Sequence, residues 1–475
     1  MDSGFRGCHK IPTPLDFGLL VHFPDSRLAR FAIRYGTAAG VIRMSQGARV
    51  VYPERSQLRW EMVDLDSQLP PDHRARLVWT FVIGLDLSEL YDPIKARDEQ
   101  AGRPASDPAV LLALWLYATL DGVGSARAVA RLCDYHAAYR WLCGGVPVNH
   151  DMLSAFRRDS GAVLDRLLTR SLTSLIAEGL VKLEEVAIDG TKVRARAGRG
   201  SLAQRRKLAA IEASVSKRVA ALKSELEQDA GAAERKRRER AVRAAEEQAE
   251  RVRRAQERLA VLEQEKAERA KLHAKEEAAK SPPAVSVSDP EVRSMRLPDG
   301  STQPAWNVQV ATANGFVVAI EPTDRRKDSG LAMATLDQVE RRCGGLPARL
   351  LADGTAVTQD EIEQLSQRKP ELRVYSPPPP QREDVTAETK RKRHWQRRRE
   401  SDAVKEWRTR MDSEAGKEVY RRRKLTEHAH AKMKNRGLVR MLVHGIDKVR
   451  NVCLLHALAH NFLQACGLRA AAAAG

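Results

Sequence analysis

One short stretch near the C-terminus combines a single carboxylate with many cations. Residues 420–437 read YRRRKLTEHAHAKMKNRG, in which Glu427 is the only acid among seven Lys or Arg residues. On a continuous helix, with about 100° per residue, four side chains share one face: Tyr420, Arg423, Glu427 and Lys434. Glu427 is then either a surface acid that balances its neighbours or a metal ligand beside a polyanionic substrate.

Two aspartates follow short apolar runs elsewhere in the chain. Asp189 follows VAI and Asp353 follows RLLA, and a glycine comes after each aspartate. The runs predict strands that end at Asp189 and Asp353, and ligands bind beyond the carboxyl ends of strands in open α/β sheets. Taken alone, each Asp-Gly pair is equally typical of a turn. Two strand-end aspartates together with a glutamate on a helix instead favour a site for two Mg²⁺ ions.

The two histidines that follow Glu427 are weaker candidates. His428 and His430 lie close to it in sequence, and only His430 falls near the same helical face. Because Mg²⁺ prefers oxygen ligands, we leave both histidines out of the predicted metal site.

The composition favours a polyanionic partner. The chain has 475 residues, enough for two or three domains, and its 81 Lys and Arg residues outnumber 62 Asp and Glu residues, for a net charge of +19. That balance suits DNA, although it also suits anionic lipid. There is no run of eighteen apolar residues and no signal-peptide pattern, so we expect a cytoplasmic protein without a membrane partner. The six cysteines show no metal-binding or redox spacing.

Residues 67–178 have the pattern of a helical domain. Apolar residues recur at helical spacing after Asp107 and Pro108, which predicts a capped and almost fully buried helix. Ser125 and Asn149 are the expected caps of later helices, and the second of these carries Arg157 and Arg158. The order fits a helix-turn-helix-like module in which these arginines contact DNA, and equally a plain helical bundle.

A highly charged segment interrupts the following strands. Residues 201–282 consist largely of Ala, Glu, Lys, Arg, Gln and Leu, with sparse apolar residues at helical spacing and a break at residues 229–232. The segment predicts a paired-helix, coiled-coil-like insert, and its solvated charges give no indication of chemistry.

Beyond the insert, strand and helix patterns alternate. The run PAWNVQVATANGFVVAIEPT predicts a hairpin around Asn-Gly, and helix, strand, helix and strand follow it. The order predicts a mixed α/β sheet. Residues 390–399 (KRKRHWQRRR) then offer DNA contacts with Trp395 as a stacking plane, or form a basic linker after the prolines at 377–380.

Together these motifs resemble the DDE transposases of bacterial insertion sequences. The spacing of Tyr420, Arg423, Glu427 and Lys434 is similar to the Tyr-Arg-Glu-Lys signature of one group. AIDGTK and LLADGTAV resemble the motifs around the two catalytic aspartates, and the helical segment resembles the N-terminal domain of that group. One departure is Thr355-Ala356, where members often have Gly followed by Tyr or Phe.

The resemblance implies a ribonuclease-H-like mixed sheet with a helical insertion, preceded by an all-α domain. It implies catalytic and metal-binding roles for Asp189, Asp353 and Glu427, two Mg²⁺ ions with Mn²⁺ as a substitute, and cleavage and joining of DNA at inverted terminal repeats. It implies that Tyr420, Arg423 and Lys434 contact DNA. We expect no small-molecule substrate. We expect a homodimer in the synaptic complex.

The domain boundaries expected from these patterns divide the chain into four parts. They are an N-terminal extension (1–66), a helical DNA-end-binding domain (67–178), a catalytic domain (179–465) with the charged insert (201–282), and an Ala-rich tail (466–475). Two alternatives stay open, a non-catalytic DNA-binding protein and a ribonuclease-H-like nuclease without strand transfer.

Overall fold

The structure is a computed structural model that describes residues 64–94, 105–226, 231–272, 281–379 and 397–474, with residues 62, 388, 391 and 395. Most of the predicted N-terminal extension and part of the basic segment 390–399 lie outside the described residues. Residues 63–475 form one compact unit. No helix in the described part of the chain is long and apolar enough to cross a membrane.

The segment before the sheet is helical, as predicted. Its helices are α1 (Arg74–Ile83), α2 (Ser88–Tyr91), α3 (Pro108–Leu120), α4 (Ala126–Tyr135), α5 (Ala137–Cys143), α6 (His150–Asp159) and α7 (Gly161–Ala177). All 13 residues of α3 are buried, and the Asp107 side chain caps it by accepting the Ala109 amide at 2.8 Å. Ser125 and Asn149 cap α4 and α6, which confirms both predicted helix starts.

A mixed sheet follows the helices. The strands are β1 (Glu185–Arg194), β2 (Leu202–Ala203), β3 (Val285–Ser286), β4 (Arg293–Arg296), β5 (Thr302–Ala313), β6 (Phe316–Thr323), β7 (Arg349–Ala352) and β8 (Arg373–Tyr375). Six of them form one sheet in the order β4-β5-β1-β7-β8, with β6 also paired to β5, while β2 and β3 pair separately. Strands β1, β7 and β8 are parallel, and the other pairings of the large sheet are antiparallel. This mixed α/β arrangement is consistent with a ribonuclease-H-like domain.

The predicted end of the first strand at Asp189 is wrong. Strand β1 continues to Arg194, and its residues from Asp189 onward pair with Val310 to Ala305 of β5. The long partner strand supplies hydrogen bonds beyond the aspartate, and the buried Thr191 and Val193 continue the alternation. The predicted hairpin is confirmed, because β5 and β6 are joined by Asn314 (φ 50°) and Gly315 (φ 79°).

The charged insert folds as a helical hairpin. Helices α8 (Arg205–Leu226) and α9 (Ala232–Leu272) pack on each other, and the β2–β3 pair closes the base of the hairpin. The hairpin has a small core of its own, separate from the main core: Ala203, Leu208, Val215, Val252, Ala255, Leu259 and Val285. Residues 227–230, which include the first half of the predicted bend at 229–232, lie outside the described residues.

Further helices follow in the described part of the unit. Helix α10 (Ala332–Cys343) connects β6 to β7, and α11 (Gln359–Arg368) connects β7 to β8. They are followed by α12 (Asp402–Asp412), α13 (Glu414–Arg421), α14 (Lys424–Asn435) and α15 (Ile446–Ala474). The predicted Ala-rich tail continues α15 as far as Ala474, as expected for the residue with the highest helix propensity.

The prediction of one continuous helix over residues 420–437 is wrong. Helix α13 ends at Arg421 and α14 begins at Lys424, with a tight turn between them. The amides of Arg422, Arg423 and Thr426 each bond to the carbonyl three residues earlier. In this turn the side chains of Arg422 and Arg423 reach Glu185 and Asp189 of β1. Tertiary ion pairs thus accompany the break.

Helix α15 joins the helical segment to the sheet. It packs on α3, α7 and β6, and one hydrophobic core runs from the helical segment into the sheet. The buried Asn461 fixes this contact, since its side chain accepts the Val317 amide and donates to the Val317 carbonyl, both at 2.8 Å. The predicted boundary near residue 178 is therefore not a break in packing.

Candidate active site

The two aspartates lie on neighbouring parallel strands. Ile188 of β1 pairs with Ala352 of β7, so the next residues, Asp189 and Asp353, come at the same level of the sheet. Each carboxylate accepts the amide of the glycine that follows it, at 3.0 Å for Asp189 and 2.8 Å for Asp353. The prediction that Asp353 follows directly on a strand is confirmed.

Thr355-Ala356, which departs from the pattern of the similar transposases, lies where the chain after Asp353 packs into the core. Ala356 and Val357 are buried in the main core, whereas Asp353 itself is exposed. The buried Ala356 is thus part of the packing, and the Asp353 carboxylate is accessible.

Arg423 connects Glu427 to Asp189. Its Nη1 lies 3.4 Å from Asp189 Oδ2, its Nη2 lies 3.3 Å from Glu427 Oε1, and its guanidinium lies 5.8 Å from the centre of the Tyr420 ring. Arg423 is 18% exposed at the side chain, whereas Glu427 is 56% exposed. Three of the four residues predicted to share a helical face therefore meet, although a turn between two helices brings them together.

Burial and charge oppose one another at Asp189. Burial raises the pKa of this carboxyl, while Arg423 and the Gly190 amide act to lower it and Asp328 and Asp353 raise it further. Burial alone would lower the pKa of Arg423, but Asp189, Tyr420 and Asp353 outweigh that effect and raise it. The site thus concentrates negative charge that one guanidinium compensates only in part.

His430 also contacts the site. Its Nδ1 lies 3.6 Å from Asp189 Oδ2, and its buried Nε2 has no hydrogen-bond partner among the described residues. Burial lowers the pKa of His430 to about 4, with smaller contributions from Lys434, Arg423 and His460. The imidazole is therefore neutral near pH 7. Its position one helical turn after Glu427 is the sequence signal that indicated this proximity.

Asp328 is a neighbour that the sequence did not predict. Its Oδ1 accepts Asn307 Nδ2 and Gln309 Nε2 at 2.7 Å each, and Lys192 Nζ at 3.2 Å. The carboxylate packs against Gly190, because a Cβ there would lie 2.1 Å from Asp328 Oδ1. Only the pairing of β1 with β5 brings these residues together, so no local sequence motif could reveal the contact.

The remaining predicted DNA contacts are dispersed. Arg157 is buried, stacks over Trp115 at 4.1 Å and donates to the Gly124 carbonyl, so it packs the helical segment rather than facing a ligand. Arg158 is exposed and paired with Asp159. Trp395 is 56% exposed under the guanidinium of Arg399. Lys434 is half-buried in the last turn of α14, close enough to lower the pKa of His430.

The carboxylates do not form a closed metal centre. Within the described residues, no group of three or more His, Cys, Asp or Glu side chains lies close enough together to hold a metal ion. The exposed carboxylate of Glu427 contacts Arg423 at 3.3 Å.

Two family models match the chain. A transposase domain (DUF772) matches residues 63–159, which form most of the helical segment, and a transposase DDE domain matches residues 380–466. Both matches are to transposase domains, and together they support a DDE transposase of an insertion sequence. The second match contains Tyr420, Arg423 and Glu427, whereas Asp189 and Asp353 lie outside both matches. No curated protein and no solved structure matches this transposase chain significantly.

Proposed function

We propose that the protein cleaves and joins phosphodiester bonds at the inverted terminal repeats of an insertion sequence, using two divalent metal ions. The observation that carries the proposal is the placement of Asp189 and Asp353 on adjacent parallel strands, with Arg423 linking Asp189 to Glu427. The transposase matches at both ends of the unit support the same conclusion.

The donor atoms suit Mg²⁺ or Mn²⁺. Asp189, Asp353 and Glu427 offer only carboxylate oxygens, the ligands that such hard ions prefer. Rotation of the exposed Glu427 side chain away from Arg423 would complete the set. Bound ions would lower the pKa of the attacking water and stabilise the leaving 3′ oxygen.

The chain's own residues position the DNA. Arg423 is placed to release Glu427 and bind a substrate phosphate instead. Its guanidinium would donate two parallel hydrogen bonds to that phosphate. Lys434 supplies a point charge at the end of the same helix, and Tyr420 is placed to stack on a base or bond a phosphate. His430 is neutral and fills the space behind Asp189, so it limits the movement of that carboxylate.

DNA is the partner, and we propose that the helical segment binds the transposon ends. Arg158 and the stacked pair of Trp395 and Arg399 are exposed for phosphate and base contacts. Two copies of the chain would bring the two ends together, and we assign neither a membrane partner nor a small-molecule substrate.

Three carboxylate-to-amide variants test the proposal. Asp189→Asn, Asp353→Asn and Glu427→Gln should each abolish Mg²⁺-dependent cleavage of a duplex that carries the DNA flanking the reading frame. Duplex binding without metal should remain, because the three acids are proposed to bind the metal ions, whereas Arg423 and Lys434 are proposed to bind the phosphates. Gel assays of nicking and filter-binding assays measure the two properties separately.

Asp360→Asn is a matched control, since Asp360 is an exposed acid at the start of α11. It should leave both properties unchanged. A fully active Asp353→Asn variant would remove that residue from the site. Duplex binding without any metal-dependent cleavage by the unaltered chain would favour the non-catalytic DNA-binding alternative.

A further inference from the structure

The loop that follows β6 is held at both ends by carboxylates. Asp324 forms an ion pair with Arg258 of the insert helix α9, and Arg293 Nη1 of β4 lies 3.9 Å from the same carboxylate. At the other end, Asp328 accepts hydrogen bonds from Lys192, Asn307 and Gln309, as described above. Both acids are mostly shielded from solvent, with side-chain exposures of 25% and 29%. The loop is therefore fixed to β1, β4, β5 and the insert.

Three consecutive cations lie between these anchors. Arg325, Arg326 and Lys327 are all exposed, and none of them forms an ion pair within the described part of the chain. Most other arginines of the sheet surface have acidic partners, such as Arg194 with Asp299 and Arg349 with Glu185. Exposed cations that are held together without counter-charges repel one another, and polyanion binding relieves the repulsion.

Two arginines and one glutamate lie near Arg326. Burial lowers the pKa of Arg326, and Arg293 and Arg269 lower it further, while Glu265 acts in the opposite direction. The two neighbouring arginines belong to β4 and α9, and Glu265 pairs with both, at 2.9 Å for Arg293 and 3.9 Å for Arg269. Among the described residues of this region, the cations without an ion pair are therefore those of the loop itself.

The loop lies beside the candidate active site. Asp328 touches Gly190, the residue after Asp189 in β1, and successive side chains of a strand point to opposite faces. The loop therefore approaches β1 from the face opposite to Asp189 and only one residue along.

We propose that Arg325, Arg326 and Lys327 form a phosphate-binding loop for the DNA backbone on the face of the sheet opposite to Asp189, and that the charged insert positions this loop through Arg258. The inference rests on the proposed function and assigns a role to the insert that its sequence did not indicate. The proposed contacts are to backbone phosphates, which Arg and Lys side chains bind whatever the base sequence.

The test is the salt dependence of duplex binding. We compare the unaltered chain with R325A/R326A/K327A, without metal, on a labelled duplex that carries the DNA flanking the reading frame. Each phosphate contact contributes about 0.9 to the slope of log affinity against log salt, so the slope should become shallower by about 2.7 for three contacts. A single Lys327→Ala variant, with an expected change of about 0.9, serves if the triple variant does not fold.

R235A/K236A/R237A is the matched control. It removes the same charge from exposed positions near the start of α9, where Arg235 and Arg237 already have acidic neighbours. Its slope should equal that of the unaltered chain. Equal slopes for the unaltered chain and R325A/R326A/K327A, or an equal change in the control, would overturn the loop assignment while leaving the proposed transposase intact. An unaltered chain that binds no duplex would overturn both.

Discussion

At the scale of single residues, each of the two aspartates is oriented by the glycine that follows it, but the two glycines are required by different neighbours. Each carboxylate accepts the amide of a following glycine, which fixes its orientation before any ligand binds. Gly190 is required because Asp328 and Gln309 crowd its Cα, whereas Gly354 is required because the Pro377 carbonyl oxygen would lie 2.7 Å from a Cβ. In the sequence the pair Asp189-Gly190 is typical of a turn. In the structure the glycine instead allows close packing within β1.

We expect Gly190→Ala to destabilise the protein by about 1–3 kcal/mol, the usual cost of overpacking. The new Cβ would lie 2.1 Å from Asp328 Oδ1 and 2.4 Å from Gln309 Nε2, and three hydrogen bonds hold that aspartate in place. Urea unfolding gives the free-energy change. Gly198→Ala is the control, because a Cβ at Gly198 would meet no atom within 4 Å, and its stability should change little.

A double variant separates crowding from other effects of the Gly190 substitution. Asp328→Ala removes the nearest atom, so G190A/D328A should lose less stability than the sum of the two single variants, by about 0.5–3 kcal/mol. Strict additivity would show that Asp328 is not the source of the strain.

The residues that sequence reasoning found and missed differ in a physical way. Glu427, Arg423 and Tyr420 are separated by three or four positions, so local geometry keeps them together even across the turn that breaks the helix. Asp328, Asn307 and Gln309 meet Lys192 only through the β1–β5 register and the path of a loop. For Arg157 the sequence left DNA contact and plain helical packing equally open, since an arginine near a helix end gives no local sign that it stacks on a buried Trp115.

At the scale of elements, strands and helices were predictable where their patterns are strong. The Asn-Gly hairpin, the capped helix α3 and the helices of the insert occur where apolar period and cap residues indicate them. Strand β1 and the helix break depend instead on partners, a long neighbouring strand in one case and acids on β1 in the other. The roles of Asp189, Asp353 and Glu427 stay predictions until they are measured.

Removal of the insert should leave the sheet folded. Deleting residues 204–279 and closing the gap with a short Gly-Ser loop removes the hairpin, whose core is separate from the main core. The variant should be soluble and unfold cooperatively, as measured by circular dichroism during heating. Because Asp324 loses Arg258, duplex binding should also weaken.

A shorter deletion provides the comparison for this element. Removing residues 216–251 keeps Val215, Val252 and Arg258 at the base of the hairpin. We expect this variant to bind duplex DNA like the unaltered chain. Insoluble protein from both deletions would show that the insert belongs to the core.

At the scale of the whole molecule, α15 holds the unit together, and its charge state should set the acid limit of stability. The helix contacts the helical segment and β6, and it carries His456 and His460 inside the shared core. Burial lowers the pKa of His456 to about 3 and that of His460 to about 4, from an ordinary value of 6.5. The Gly315 carbonyl, which bonds to His460 Nε2 at 2.8 Å, opposes the shift only in part.

The sign of the resulting pH dependence follows from proton counts. Between pH 6.5 and about 4 the unfolded chain binds protons at both histidines while the folded chain does not, so stability is lost as pH falls through this range. Each histidine contributes at most about 1.4 kcal/mol per pH unit. We expect the free energy of unfolding from urea titrations at pH 7, 6 and 5 to fall less steeply in His456→Gln than in the unaltered chain. His428→Gln, at an exposed position of α14, should keep the original pH profile. An identical profile for His456→Gln would mean that this histidine takes up no proton on unfolding and that α15 does not set the acid limit.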